Sequence, residues 1–207
     1  MDVNTIVFDL GGVIINLNVP RCVSNFKRLM PEENIQNILG IDDEGEGVVA
    51  VSAATKQLMH DYEYGNITTD EFLRTLQEYC FEGTTIEQIR EAWLSMLDDL
   101  PQERLDYIAE LRKKGYRTIL LSNSNELHWD PIWEQYRLGD YFEVVFASHY
   151  LHMAKPNQEI FDHVVREAKI DCAHAIYVDD LEKNRKAGEQ FAGWKTVASI
   201  DDLKLTI

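Results

Sequence analysis

Three short apolar runs punctuate the chain: Thr5 to Leu10, Thr118 to Leu121 and Ala175 to Val178. Each is closed by small or polar residues, respectively Gly11-Gly12, Ser122-Asn123 and Asp179-Asp180. A continuous apolar run bounded in this way reads as a strand buried on both faces, the signature of a parallel sheet. Glu143 to Ala147 adds a fourth predicted strand. Between them the period changes. Leu105, Ile108, Ala109 and Leu111 recur at helical spacing, with Gly115 as a stop before the Thr118 strand, and Ile160, Phe161, Val164 and Val165 form a second stripe before Ile176. Helix feeding strand in this rhythm predicts an α/β fold, a doubly wound, Rossmann-like parallel sheet.

From about Val19 to Asp99 the texture differs. Val23, Phe26, Leu29 and Met30, then Phe72, Leu73, Leu76 and Tyr79, then Ile86, Ile89, Trp93, Leu94 and Leu97 give helical stripes with no convincing strand. The expected organisation is a core of residues 1–17 and 100–207, with an all-helical insertion, 18–99, acting as a cap. Thr69 opens a Thr-Asp-Glu-Phe helix start with Glu71 in its first turn. The acidic stretch Asp42 to Glu46, with Gly45 and Gly47, reads as a solvated loop.

Composition narrows the function. With 36 acidic against 20 basic side chains, the 207-residue chain has a formal charge of -16, which repels phosphate backbones and argues against a nucleic-acid binder. No apolar run approaches the roughly 20 residues that a membrane span requires, so no membrane role is expected. Cys22, Cys80 and Cys172 form no CxxC pair or zinc-type cluster and read as buried thiols in a reducing compartment. Met1 to Val7 carries Asp2 and no basic stretch, unlike a secretory signal, so the expected location is cytoplasmic.

Ligands of an open α/β sheet bind beyond the carboxyl ends of its strands. Asp9, Ser122, Asn123, Asp179 and Asp180 are therefore expected to converge there, with Lys155-Pro156 on a neighbouring loop. Carboxylates for a hard cation, a hydroxyl and amides for an anion's oxygens, and one fixed ammonium compose a phosphoryl-transfer site. Blander readings compete: Asp9 capping a turn, Asp179-Asp180 capping a helix N-terminus, Ser122-Asn123 forming an ordinary turn, Lys155 at the surface. Trp129 and Trp133 read as core. His128 either serves local structure or stands in as an acid, and His60, Asp61, Tyr62 and Glu63 either face substrate or, the favoured reading, form a solvated helix face.

Four segments in order carry a resemblance over nearly the whole chain: Val7-Phe8-Asp9-Leu10-Gly11-Gly12-Val13, Leu120-Leu121-Ser122-Asn123-Ser124-Asn125, Lys155-Pro156 followed by Ile160-Phe161, and Tyr177-Val178-Asp179-Asp180 with Asn184 and Ala187-Gly188. The chain resembles the haloacid dehalogenase superfamily, most closely its capped phosphatases. The resemblance implies that Asp9 is the nucleophile and that Asp180, with Asp179 as helper, holds Mg2+ together with Asp9 and the Gly11 carbonyl. It implies that Ser122 and Asn123 bind the phosphoryl group, and that Lys155 neutralises nucleophile and phosphate. The implied substrate is a small phosphorylated metabolite, hydrolysed through an aspartyl phosphate.

One departure stands out. Most phosphatases of this family carry a second aspartate two residues after the nucleophile, as general acid and base, whereas here that position is Gly11. Such help is typically worth about 10²–10⁴-fold in rate. The alpha-D-glucose-1-phosphate phosphatase group shares the lack and is similar around Tyr64-Gly65-Asn66-Ile67, Glu71-Phe72 and Ser122 to His128. An anomeric phosphate has the better leaving group, so a sugar 1-phosphate is the favoured substrate. The alternatives are a phospho-ligand sensor without turnover, a 2-haloacid dehalogenase and a phosphomutase.

Overall fold

The computed structural model describes residues 3–39 and 53–207. The predicted loop from Asp42 to Glu46 lies outside the described residues. The sheet contains β1 (Thr5–Phe8), β2 (Arg117–Ser122), β3 (Val144–Ala147), β4 (Ala175–Val178) and β5 (Lys195–Val197), all parallel, in the order β3-β2-β1-β4-β5. Val7 pairs with Ile119 on one side and Tyr177 on the other, so the three apolar runs lie side by side at the sheet centre. Their side chains are fully buried on both faces, as a continuous apolar run demands.

Eleven α-helices lie among the described residues. α1 (Val19–Phe26), α2 (Glu32–Leu39), α3 (Ala53–Glu63), α4 (Thr69–Gln77) and α5 (Ile86–Leu94) follow β1. α6 (Gln102–Lys113), α7 (Glu126–Tyr136), α8 (Ser148–Leu151), α9 (Gln158–Ala168), α10 (Glu182–Ala187) and α11 (Ile200–Lys204) wrap the sheet. One sheet face packs Ile6, Phe8, Leu120, Ile176 and Val178 against Leu105, Ile108 and Leu111 of α6. The other packs Val7, Ile119, Leu121 and Tyr177 against Ile160, Phe161 and Val164 of α9. This alternation of inward sides along each strand produces the doubly wound sandwich.

The helices α1–α5 have a core of their own, in which Phe26, Tyr62, Phe72, Leu76, Ile89 and Trp93 are buried together. The rings of Tyr62 and Phe72 stack at 3.9 Å, and Trp93 meets Phe72 edge-on at 5.0 Å. α4 starts at the expected Thr69, but the capping residue is Thr68, whose hydroxyl accepts from Glu71 N while Glu71 returns a bond to Thr68 N. A matching box, Thr85 with Gln88, opens α5. The chain crosses between sheet and helical layer twice, and the crossings run side by side. Asn16 N donates to Asp99 O and Asp98 N to Asn16 O, each at 3.0 Å.

Candidate active site

β1 ends at Phe8, and Asp9 N donates to Val178 O at 2.8 Å, so the first residue past the strand is still held in the sheet. Asp9 Oδ1 accepts from Leu10 N at 2.7 Å, fixing the carboxylate at the strand mouth. The backbone then turns through Gly12, whose φ of +74° favours glycine, and a Cβ there would lie 2.3 Å from Asp180 Oδ2. Gly11 has no such φ; a Cβ there would meet only the tip of Leu17, at 3.1 Å.

Lys155 brings the three strand ends together. Its ammonium has three donors, and Asp9 Oδ1 at 2.9 Å, Asp179 Oδ2 at 2.8 Å and Leu121 O at 3.1 Å account for all of them. The loop carrying Lys155 is strapped to the end of β2 by Asn123, whose Oδ1 accepts from Lys155 N at 2.9 Å and whose Nδ2 donates to Lys155 O at 2.8 Å. The side-chain amide of Asn123 is thereby engaged in holding the loop, in addition to the phosphoryl role expected from the sequence. Ser122 is buried at the end of β2, and its hydroxyl has one long bond, to Asn123 O at 3.3 Å. Lys155 is not the surface lysine of the blander reading.

Asp179 is fully buried and saturated. It accepts from Lys155, from the Tyr177 hydroxyl, from Asn184 Nδ2 at 3.1 Å and from Leu181 N at 2.9 Å. Asp180, beside it, is exposed to the cavity. One carboxylate oxygen from each of Asp9, Asp179 and Asp180 falls within 4.8 Å of the others. Burial, seconded by the Asp179 charge, pushes the Asp9 pKa up to about 7 against the pull of Lys155. Burial also works against the Lys155 ammonium, yet Asp9 and Asp179 outweigh it and hold its pKa above the ordinary lysine range. Three carboxylates against one ammonium leave an excess of negative charge around hard oxygen donors, and this donor set suits a small divalent cation.

These groups open into a cavity of about 720 Å³, within the range of small-molecule sites. Asp9, Gly11, Asn123, Lys155 and Asp180 line it, joined by Lys183 and by Glu63 from the helical layer. The solvated-face reading of residues 60–63 is therefore half corrected. His60 and Asp61 contact each other at the surface, but Tyr62 is in the helical core and Glu63 turns to the cavity. Asn123 Nδ2 donates to Glu63 Oε1, and Ser148 Oγ donates to Glu63 O at 2.7 Å. The sequence signal for Glu63 was its place at the end of a helix before the Tyr64-Gly65 turn. Gly65 has a φ of +67°, and a Cβ there would strike His149 O, so the turn presses the end of α3 onto the sheet domain.

His128 is not a stand-in acid. Its ring stacks on Trp93 at 5.3 Å and its Nε2 lies 3.0 Å from Trp93 O, away from the cavity lining. Burial pushes its pKa down to about 4, which keeps it neutral. Trp129 is core, as expected, and stacks on Trp133 at 5.5 Å.

A parallel sheet with acids and a lysine gathered at its carboxyl edge defines a doubly wound hydrolase, and the family model for haloacid dehalogenase-like hydrolases matches residues 3–191. The chain belongs to that family. It is 30% identical over 200 residues to a D-ribitol-5-phosphate phosphatase of Bacteroides thetaiotaomicron, covering 94% of this chain and 90% of that protein. A crystal structure of a wild-type family enzyme from the same organism, in complex with magnesium and inorganic phosphate, superposes with a TM-score of 0.76 at 33% identity, covering 95% of this chain and 93% of that one. A HAD-like hydrolase from Porphyromonas gingivalis superposes with a TM-score of 0.82 at 28% identity, covering 100% and 98%.

Among the described residues, no helix is long and apolar enough to cross a membrane.

Proposed function

We propose that this chain is a magnesium-dependent phosphatase of small sugar or polyol phosphates, working through a phosphorylated Asp9. The observation that carries the reading is the placement of Lys155 between Asp9 and Asp179 at the ends of three adjacent strands. Magnesium binding by the related B. thetaiotaomicron enzyme supports the cation, and Asp9, Asp180 and the Gly11 carbonyl are the groups that would hold it, with Asp179 fixing the surrounding frame. Bound there, the cation would neutralise charge on the phosphoryl oxygens.

An Asp9 oxygen attacks phosphorus and the ester oxygen departs; water then cleaves the aspartyl phosphate and releases phosphate. Lys155 restrains Asp9 and offers fixed positive charge, while the Ser122 hydroxyl donates to a phosphoryl oxygen. Residues 18–99 act as a cap on the core of 1–17 and 100–207, with Glu63 reaching into the cavity and bulk water shut out on closure. Within the substrate class, Gly11 favours a sugar 1-phosphate, and the relative named for D-ribitol 5-phosphate, a primary ester, supports including terminal polyol phosphates.

A panel of sugar and polyol phosphates assayed with magnesium, and again after exhaustive chelation, tests the reading. Phosphate should be released from at least one ester only when magnesium is present. Release unaffected by chelation, or none from any ester, would overturn it.

A further inference from the structure

We infer that Glu63, a cap residue, is the general acid and base of this site, taking the place of the carboxylate missing at Gly11. The inference rests on the phosphatase reading and adds the proton-transfer group which that reading lacks.

Glu63 Oε1 accepts from Asn123 Nδ2; Asn123 Oδ1 holds the backbone of Lys155; Lys155 Nζ holds Asp9. Carboxylic acid and nucleophile are thus fixed to one frame and line one cavity. Glu63 arrives from the helical layer and lines the same cavity as Asp9, the space into which a leaving group must depart. Among the described residues, its second oxygen, Oε2, accepts no hydrogen bond, and no ion pair consumes the carboxylate. By contrast, Asp179 is saturated and His128 is walled off. Gly11 and Gly12 offer no side chain, and Asp180 belongs to the cation-binding set.

Protonation suits the role. Burial raises the Glu63 pKa above the ordinary glutamate value, only partly opposed by Lys183, Lys155 and His60; the other acids that line the cavity with it are Asp9, Asp98 and Asp180. In the first step the Asp9–phosphorus bond forms, the phosphorus–ester oxygen bond breaks, and the Glu63 proton passes to the departing oxygen. In the second step water adds to phosphorus, its proton passes to the Glu63 carboxylate, and the Asp9–phosphorus bond breaks, restoring both residues.

A leaving-group comparison tests this. Glu63→Gln keeps an acceptor for Asn123 but carries no acidic proton. At saturating magnesium, kcat/KM reports steps through phosphoenzyme formation, so it isolates the acid role. For ribitol 5-phosphate, whose alkoxide needs a proton, Glu63→Gln should lower kcat/KM by about 10²–10³-fold. For p-nitrophenyl phosphate, whose aryl oxide leaves unaided, the loss should stay below about tenfold, and Glu63→Asp should recover part of the alkyl rate. In the wild-type enzyme, the alkyl kcat/KM should fall as pH rises through the Glu63 pKa, a limb absent for the aryl ester; this measurement does not depend on how the variant folds. Equal losses on the two esters would make Glu63 only a cap anchor and overturn the inference, as would an undiminished alkyl rate. Magnesium-dependent turnover by the wild type with either of those outcomes leaves the phosphatase reading standing, whereas no wild-type turnover of any ester overturns both.

Discussion

The Lys155 ammonium lies 2.9 Å from Asp9 Oδ1, with the lysine side chain 1% exposed and the aspartate side chain 10% exposed. Two carboxylates share this one cation, because Asp179 Oδ2 stands 2.8 Å from the same nitrogen. Breaking a buried pair by removing one partner leaves an uncompensated charge, typically at a cost of about 3–5 kcal/mol. Lys155→Met should therefore destabilise the fold by an amount of that order while lowering turnover at least about 100-fold. Urea denaturation alongside a phosphate-release assay checks both. A variant that stays as stable as wild type would mean that Asp9 and Asp179 can be protonated at little cost.

Gly12 and Gly11 should respond oppositely to the same substitution. Gly12→Ala meets both a φ of +74° and the Asp180 carboxylate, and so should displace Asp180 and weaken magnesium affinity by about tenfold or more. Gly11→Ala meets only Leu17, which is 42% exposed and free to shift, and should bind magnesium within about threefold of wild type. Calorimetric titration of magnesium into each variant provides the comparison. Equal affinities would show that Asp180 does not depend on this turn.

His128 links stability to pH. Its folded-state pKa, about 4, lies below the ordinary value of 6.5, so the stability it contributes is present above pH 6.5 and is lost as pH falls through 4. The shift corresponds to about 3 kcal/mol. Denaturation midpoints between pH 7 and pH 4 should fall along this limb, and His128→Phe, although weaker at pH 7 for want of the bond to Trp93 O, should show a shallower one. An unchanged slope would place the acid sensitivity elsewhere, for example at His149, whose pKa burial also pushes down to about 4.

What the sequence made legible was what the chain encodes locally. Val7, Ile119 and Tyr177 sit in unbroken apolar runs, and those runs became the three central strands. β5 escaped notice because it is a three-residue edge strand, Lys-Thr-Val, whose side chains are half-buried or exposed, so it carries no apolar run. The acids at the strand ends were legible through topology: a parallel sheet brings its carboxyl ends to one edge whatever lies between them. Glu63 was not. Its place at the cavity depends on the end of α3 meeting Asn123 and Ser148, 60 and 85 positions further along, and no local pattern encodes that contact. The backbone at Gly11 does not require glycine, whereas that at Gly12 does.

The central claim is that Asp9 carries the phosphoryl group. Rapid acid quenching of the enzyme with magnesium and its best ester, followed by peptide mass spectrometry, tests it most directly. The account predicts a phosphorylated peptide containing Asp9 during turnover, absent after chelation and absent in Asp9→Asn, which should also lose phosphate release. Steady phosphate release with no modified Asp9 peptide, or near wild-type turnover by Asp9→Asn, would contradict it.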